Sequence, residues 1–385
     1  MQKLKIGGSL GEWSDKVVDA VQQAGDAVQG MYDNTINDIQ ATLGNVGECL
    51  AAMDDIRLRV AHRTIEYQTM VTRALLNAHF LSREVIEEVW RFVKKDIRRD
   101  PRPAIYYVPR PFSSDTAVQI DPETYEFPPG RKPSLFVHGK GYSSSKNSAY
   151  SFFSDIEEHV QIFSNGHNEL NDVYLVSYDT ELTDEDEIII RAAFQLLLGI
   201  GTAGEADPLI LAVFWRELER RAAITGDYIL PFLRRIAEAQ TPDLSLAGFA
   251  ITHSLGCFTF ASAAQKLIRE NENNRCFLNW LCMAAAIPSN GFTSTGGFTF
   301  APLIAGGGDG PRYGTSVWYS RLDLVLNLAY TLATGHLALG ATGSLDSVPR
   351  VYISDMDVTQ ITKEDHYIAY FKKLGNMLRD EVFNR

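Results

Sequence analysis

The sequence predicts an α/β fold, with a mostly parallel central sheet, helices on both faces and an α-helical region in front. Three observations carry this expectation. After Pro133, short apolar runs alternate with helix-length amphipathic stretches, the pattern of strands joined by crossover helices. Before Asp100, apolar residues recur at spacings of three and four. Between the two, prolines cluster. With 385 residues the chain can hold one large domain and a smaller one. The expected division is a helical region over 1–100, a Pro-rich connector over 101–132 and an α/β domain over 133–385.

In the amino-terminal region Val17, Val21, Ala24, Val28 and Met31 form one apolar stripe. Met53, Ile56, Val60, Ile65 and Leu75 form a second. The clearest helix follows Ser82, which is placed to cap it. Val85, Ile86, Val89, Trp90, Phe92, Val93 and Ile97 make its apolar side. Lys94, Lys95, Arg98 and Arg99 sit where cations favour a helix carboxyl end, and Pro101 and Pro103 stop it. In the connector, Ile105-Tyr106-Tyr107-Val108 predicts one short strand, and the rest is expected to pass over the surface of the next domain.

Beyond Pro133 the expected strands are 134–137, 173–178, 244–251, 278–285, 316–320 and 350–353. Helices are expected over 148–163, 209–239 and 255–270. No repeat interrupts the alternation. In such folds ligands bind beyond the carboxyl ends of the strands.

Composition narrows the function. The apolar fraction of 45% and charged fraction of 22% are those of a globular protein. A net charge of −12, with three basic and nine acidic residues through Asp55, argues against nucleic acid and against nonspecific attraction to anionic membranes. Cys49, Cys257, Cys276 and Cys282 show no metal-finger spacing and read as buried free thiols. No stretch has the length of a transmembrane helix, and no apolar signal core follows the amino terminus. A cytoplasmic location is the default expectation, with signal-less export left open.

One segment points to chemistry. Ala247-Gly248-Phe249-Ala250-Ile251-Thr252-His253-Ser254-Leu255-Gly256 reads as a buried strand turning sharply into a helix, with Ser254 at the turn. A serine hydroxyl needs a base, a group to orient the base and donors for an oxyanion. His366 follows the last expected strand and precedes the terminal helix, which suits the base. His62 and His79 lie in the helical region, His159 and His167 precede a strand, and His336 lies in a Gly-containing stretch. His253 adjoins Ser254, so its side chain is expected to point the other way. Asp323 comes just after a strand and suits the orienting acid, although a helix N-cap would explain it as well. Asp309, Asp346, Asp355 and Asp357 are its rivals. For the oxyanion, the backbone N–H of Leu255 opens the helix after Ser254. Val137-His138-Gly139-Lys140-Gly141-Tyr142 supplies a second candidate, the N–H of Lys140. Its glycines permit close approach. His138, Gly139, Gly141 and Gly256 are supporting residues.

From Pro133 onward the chain resembles the α/β-hydrolase superfamily. The turn at His138-Gly139 is similar to the family's oxyanion loop. His253-Ser254-Leu255-Gly256 is similar to the core of its Gly-x-Ser-x-Gly elbow, and Ser254, Asp323, His366 follow its triad order. Tyr319-Ser320-Arg321-Leu322-Asp323 also resembles the acid loop of an uncharacterised bacterial branch. Thr252 departs from the pattern by replacing the first elbow glycine, where a β-branched side chain crowds helix against strand. The resemblance implies an α/β-hydrolase fold and a serine hydrolase that cleaves a carboxylic ester through an acyl-enzyme, lipase- or esterase-like, with no metal and no organic cofactor. Its substrate would be a small-molecule or lipid ester. Thioesterase, acyltransferase and amidase activities use the same triad. A separate reading makes the chain a delivered effector or a partner-recruited hydrolase, with the amino-terminal helices serving a protein partner or a homo-oligomer. Gly-containing insertions at 199–208 and 287–314 are expected to act as lids, the second carrying Phe292, Phe298, Phe300, Leu303 and Ile304. Leu196, Leu197 and Leu198 are candidates for an apolar wall.

Overall fold

A computed structural model describes residues 79–164, 168–198, 207–239, 247–306, 314–323, 325–344, 353–363 and 365–379. The stripes expected at 17–31 and 53–75 lie outside the described residues, as does most of the 199–208 insertion. The chain divides into two compact units, Met1–Glu84 with Phe194–Gly201, and Val85–Ala193 with Thr202–Arg385. In the smaller unit the described residues are 79–84 and 194–198, both helical, with Leu196 and Leu197 exposed.

Helix α1 (His79–Val93) continues as hydrogen-bonded turns to Ile97. Ser82 therefore lies inside it and not at its cap. Ile86, Val89, Val93 and Ile97 are buried as their spacing requires, whereas Phe92 is exposed. The segment after it is anchored by charge. Glu217, fully buried, accepts from Arg221 Nε at 2.9 Å, Arg220 Nε at 2.8 Å and the Arg99 backbone N–H at 3.2 Å. Arg99 also reaches the buried Asp186 at 2.8 Å.

The sheet has eight strands, β1 (Ala104–Val108), β2 (Val118–Ile120), β3 (Lys132–Val137), β4 (Asn171–Ser177), β5 (Gly248–His253), β6 (Phe277–Met283), β7 (Gly314–Tyr319) and β8 (Ile353–Asp357). Their order is β2-β1-β4-β3-β5-β6-β7-β8. Strand β1 runs antiparallel to both β2 and β4, and the other neighbours pair in parallel. The Pro-rich segment thus contributes two strands to the sheet and does more than cross its surface. Strands β4 and β5 are buried along their whole length, which is why they read as continuous apolar runs. β8 is an edge strand with mostly polar, exposed residues; of the strand expected over 350–353, residues 350–352 lie outside the described residues, and the described strand runs on to Asp357.

Helices α2 (Lys146–Val160), α3 (Asp184–Leu198), α4 (Asp207–Ala239) and α5 (Leu255–Glu270) connect the strands. Ser145 caps α2 by accepting from the Ser148 N–H. α4 packs along α5, and α5 packs on β3 and β5. Short helices follow, α6 (Thr331–Thr334), α7 (Leu339–Thr342), α8 (Thr359–Thr362), α9 (Ile368–Lys372) and α10 (Gly375–Leu378). Among the described residues no helix is long and apolar enough to cross a membrane.

Candidate active site

Ser254 sits between β5 and α5 with φ of 52° and ψ of −120°. A non-glycine residue in this region is strained and persists only where its surroundings impose it. Here they do. The Ser254 N–H donates to the Met283 carbonyl at 2.9 Å. The Ser254 carbonyl accepts from Cys257 and Ala286, each at 3.1 Å. The peptide on either side is pinned to the ends of β6 and α5, and the side chain is forced out of the turn.

His366 lies on the loop between α8 and α9, as its position after the last strand predicts. Its Nδ1 is 2.6 Å from Asp323 Oδ2 and its Nε2 is 2.8 Å from Ser254 Oγ. A carboxylate accepts only, so Nδ1 carries the proton and donates to Asp323. In the neutral imidazole Nε2 then presents its lone pair, and the serine hydroxyl donates to it. Three residues separated by up to 112 positions thus form one hydrogen-bonded chain directed at the serine oxygen. Asp323 is fully buried, Ser254 is 1% exposed and the His366 side chain 16%, so water competes little for these bonds.

Asp323 fulfils both readings of its position. Oδ2 orients the imidazole, while Oδ1 accepts from the Leu326 N–H at 3.0 Å and caps the π-helical turn Val325–Tyr330. Of the rival acids, Asp309 and Asp346 lie outside the described residues. Asp355 and Asp357 are in β8 itself and not on the histidine loop. Asp355 bonds Ser344, and Asp357 pairs with Arg321.

The loop after β3 lies directly against the serine. A Cβ on Gly139 would fall 2.8 Å from Ser254 Cβ, so only glycine fits there. Likewise a Cβ on Gly256 would fall 2.3 Å from the Val137 carbonyl oxygen, which sets how closely α5 approaches β3. His138 holds this loop from inside. Its Nδ1–H donates to Gly139 O at 2.9 Å, and its ring stacks on Tyr178 at 4.7 Å and meets the tilted ring of Tyr142 at 4.6 Å. Burial lowers its pKa to about 4, only partly opposed by the Gly139 carbonyl, so it is neutral. The N–H groups of Gly141 and Tyr142 are used by Thr180. Among the described residues no protein acceptor meets the N–H of Lys140 or of Leu255. These are the two donors expected for an oxyanion, and Leu255 opens α5.

Thr252 is accommodated without loosening the elbow. Its hydroxyl accepts from Trp280 Nε1 at 2.9 Å and lies 3.1 Å from Cys257 Sγ. The residue it faces across the helix–strand contact is a cysteine, small enough to leave room. The crowding expected from the lost glycine is absorbed by this pair.

Part of the expected lid is packed core. Phe292 is fully buried and meets Trp280 edge-on at 5.6 Å, Phe298 meets Phe258 at 5.3 Å, and Ala301–Ile304 forms a 3-10 turn against α5. Residues 307–313 lie outside the described set. An open groove of about 520 Å³ lined by Asp121, Glu123, Asp227 and Tyr228 shares no lining residue with this site.

Two features had no place in the sequence reading. Tyr142 and Tyr367 are hydrogen-bonded through their hydroxyls, and Tyr367 OH donates to Asp155 Oδ2 at 2.7 Å, tying the loop after β3 to the histidine loop and to α2. His253 bonds the backbone of His366. The only prior signal was adjacency, since Tyr142 ends the glycine loop, Tyr367 follows His366 and His253 precedes Ser254. Comparison of the chain with protein-family models, with curated proteins and with solved structures returns no match.

Proposed function

We propose that the protein is a serine hydrolase of α/β-hydrolase type that cleaves carboxylic esters. The single observation carrying this reading is the continuous chain from Asp323 through His366 to Ser254, with bonds of 2.6 and 2.8 Å, ending on a strained serine. The eight-stranded, mostly parallel sheet with the serine after β5 supports the fold assignment.

In this mechanism Ser254 Oγ attacks the ester carbonyl carbon as its proton passes to His366 Nε2. The negative charge on the carbonyl oxygen is held by the N–H groups of Leu255 and Lys140. The imidazolium, stabilised by Asp323, returns the proton to the departing alkoxide as the C–O bond breaks. Water then repeats the sequence on the acyl-enzyme, releasing the acid and restoring the serine. The same groups act on thioesters and amides, and the choice among them rests with the surfaces that hold the substrate.

A fluorophosphonate probe tests the proposal. It is expected to label the wild-type chain at Ser254 and to leave Ser254→Ala unlabelled. Hydrolysis of a p-nitrophenyl ester is expected to fall to background in the same variant. A folded wild-type chain that takes up no label, or a Ser254→Ala variant with undiminished turnover, overturns it.

A further inference from the structure

We infer that His253, the residue before the nucleophile, is a positioning residue that sets the place of the His366 imidazole by holding the His366 carbonyl. This rests on the proposed hydrolase reading and adds a residue to it. The contact is direct: His253 Nε2 lies 2.6 Å from His366 O. A carbonyl oxygen can only accept, so His253 carries its proton on Nε2 and donates. The ring is 2% exposed and boxed by Phe152, Tyr367, Tyr370 and Phe371, with ring centroids 5.3–6.4 Å away. Burial, with the neighbouring His366 as the second cause, pushes its pKa well below the usual histidine value, so it serves as a neutral donor.

The geometry gives this bond its importance. Apart from the imidazole's own bonds to Asp323 and Ser254, the ties from the His366 loop to other elements are, among the described residues, at its edges. Ser320 Oγ donates to Lys363 O at 2.7 Å, and Tyr367 OH donates to Asp155 at 2.7 Å. Neither reaches the strand that carries Ser254. The His253 bond does, because His253 and Ser254 are consecutive at the end of β5. The backbone of the base is thereby referenced to the backbone of the nucleophile through a single side chain. The same ring also lines the loop after β3, since a Cβ on Gly139 would fall 3.1 Å from His253 Nδ1. One buried imidazole, on the residue next to the nucleophile, therefore borders both the base and the oxyanion loop. Displacement of a reacting group by about 1 Å can cost about 100-fold in rate, so loss of this tether is a kinetic defect before it is a structural one.

The test compares two substitutions in the full chain. His253→Phe keeps an aromatic ring in the box and removes the N–H. His253→Gln places an amide N–H at the same reach. In His253→Phe, fluorophosphonate labelling and kcat for a p-nitrophenyl ester are expected to fall about 10- to 100-fold with KM within about 2-fold. The low-field proton resonance of the His366–Asp323 bond is expected to shift or broaden. His253→Gln is expected to recover most of the labelling rate. Wild-type rates in a folded His253→Phe overturn the inference and leave the hydrolase reading standing. Equal losses in both variants overturn it as well, because packing and not the N–H would then be responsible. Failure of both to melt cooperatively assigns His253 to the core and overturns it too. A wild-type chain that takes no label removes the reaction and this role with it.

Discussion

Asp323 divides its two oxygens between His366 Nδ1 and the Leu326 N–H. Asp323→Asn keeps an oxygen for the cap but presents an N–H or a misplaced acceptor to the imidazole, which favours the wrong tautomer. Ester turnover is expected to drop about 10³- to 10⁴-fold in this variant with the melting temperature little changed, as steady-state kinetics and calorimetry would show. Thr252 makes the complementary case. It departs from the expected elbow glycine, yet its hydroxyl is the acceptor for Trp280 Nε1. Thr252→Val preserves the shape and strands that indole N–H in the core. Denaturant melts are expected to show a loss of about 1–3 kcal/mol while probe labelling of Ser254 stays near wild type. A fall in labelling with stability unchanged would assign Thr252 to the chemistry instead.

At the scale of elements, what could be read from the chain depended on how much of each element is buried. β3, β4, β5 and α5 were legible because their apolar runs are nearly continuous and Gly256 marks the close approach after the elbow. β2 is three residues long with two of them exposed, so Val118-Gln119-Ile120 carries no alternation. β8 runs past the end expected at residue 353 because Ser354, Asp355 and Asp357 on an edge strand look like loop residues. The grouping of Ser254, Asp323 and His366 was legible because each follows a strand end. The His253 contact was not, because it depends on a loop 113 residues further along. Equally hidden was Glu217, whose charge in α4 reads as a solvated helix face. Burial alone would push its pKa up, but hydrogen bonds from Arg220, Arg221 and the Arg99 N–H outweigh this and hold it below the ordinary glutamate value. Glu217→Ala leaves the buried Arg221 guanidinium and the partly exposed Arg220 without their shared acceptor. A loss of about 3–5 kcal/mol is expected in urea unfolding. A loss below about 1 kcal/mol would show that Asp179 and water replace it.

Across the whole molecule, stability is coupled to pH through histidines that the fold keeps neutral. His138 is fully buried between the rings of Tyr142 and Tyr178, with its Nδ1–H on the Gly139 carbonyl and the Tyr178 N–H 3.4 Å from Nε2. Its folded pKa is lowered from 6.5 to about 4. The unfolded chain therefore binds a proton at this residue through a range where the folded chain does not. The contribution is fully present above pH 6.5 and is lost as the pH falls from 6.5 towards 4. Each pH unit costs about 1.4 kcal/mol for one such proton, so the full interval costs about 3 kcal/mol. His253 adds a term of the same sign. Unfolding free energy, measured in urea at half-unit steps, is expected to fall across this window. In His138→Gln the fall is expected to be shallower by up to one proton's worth of slope, with the His253 share remaining. A slope identical in the two chains would mean that His138 titrates alike folded and unfolded. The loop carrying the Lys140 N–H would then not depend on a neutral imidazole beneath it.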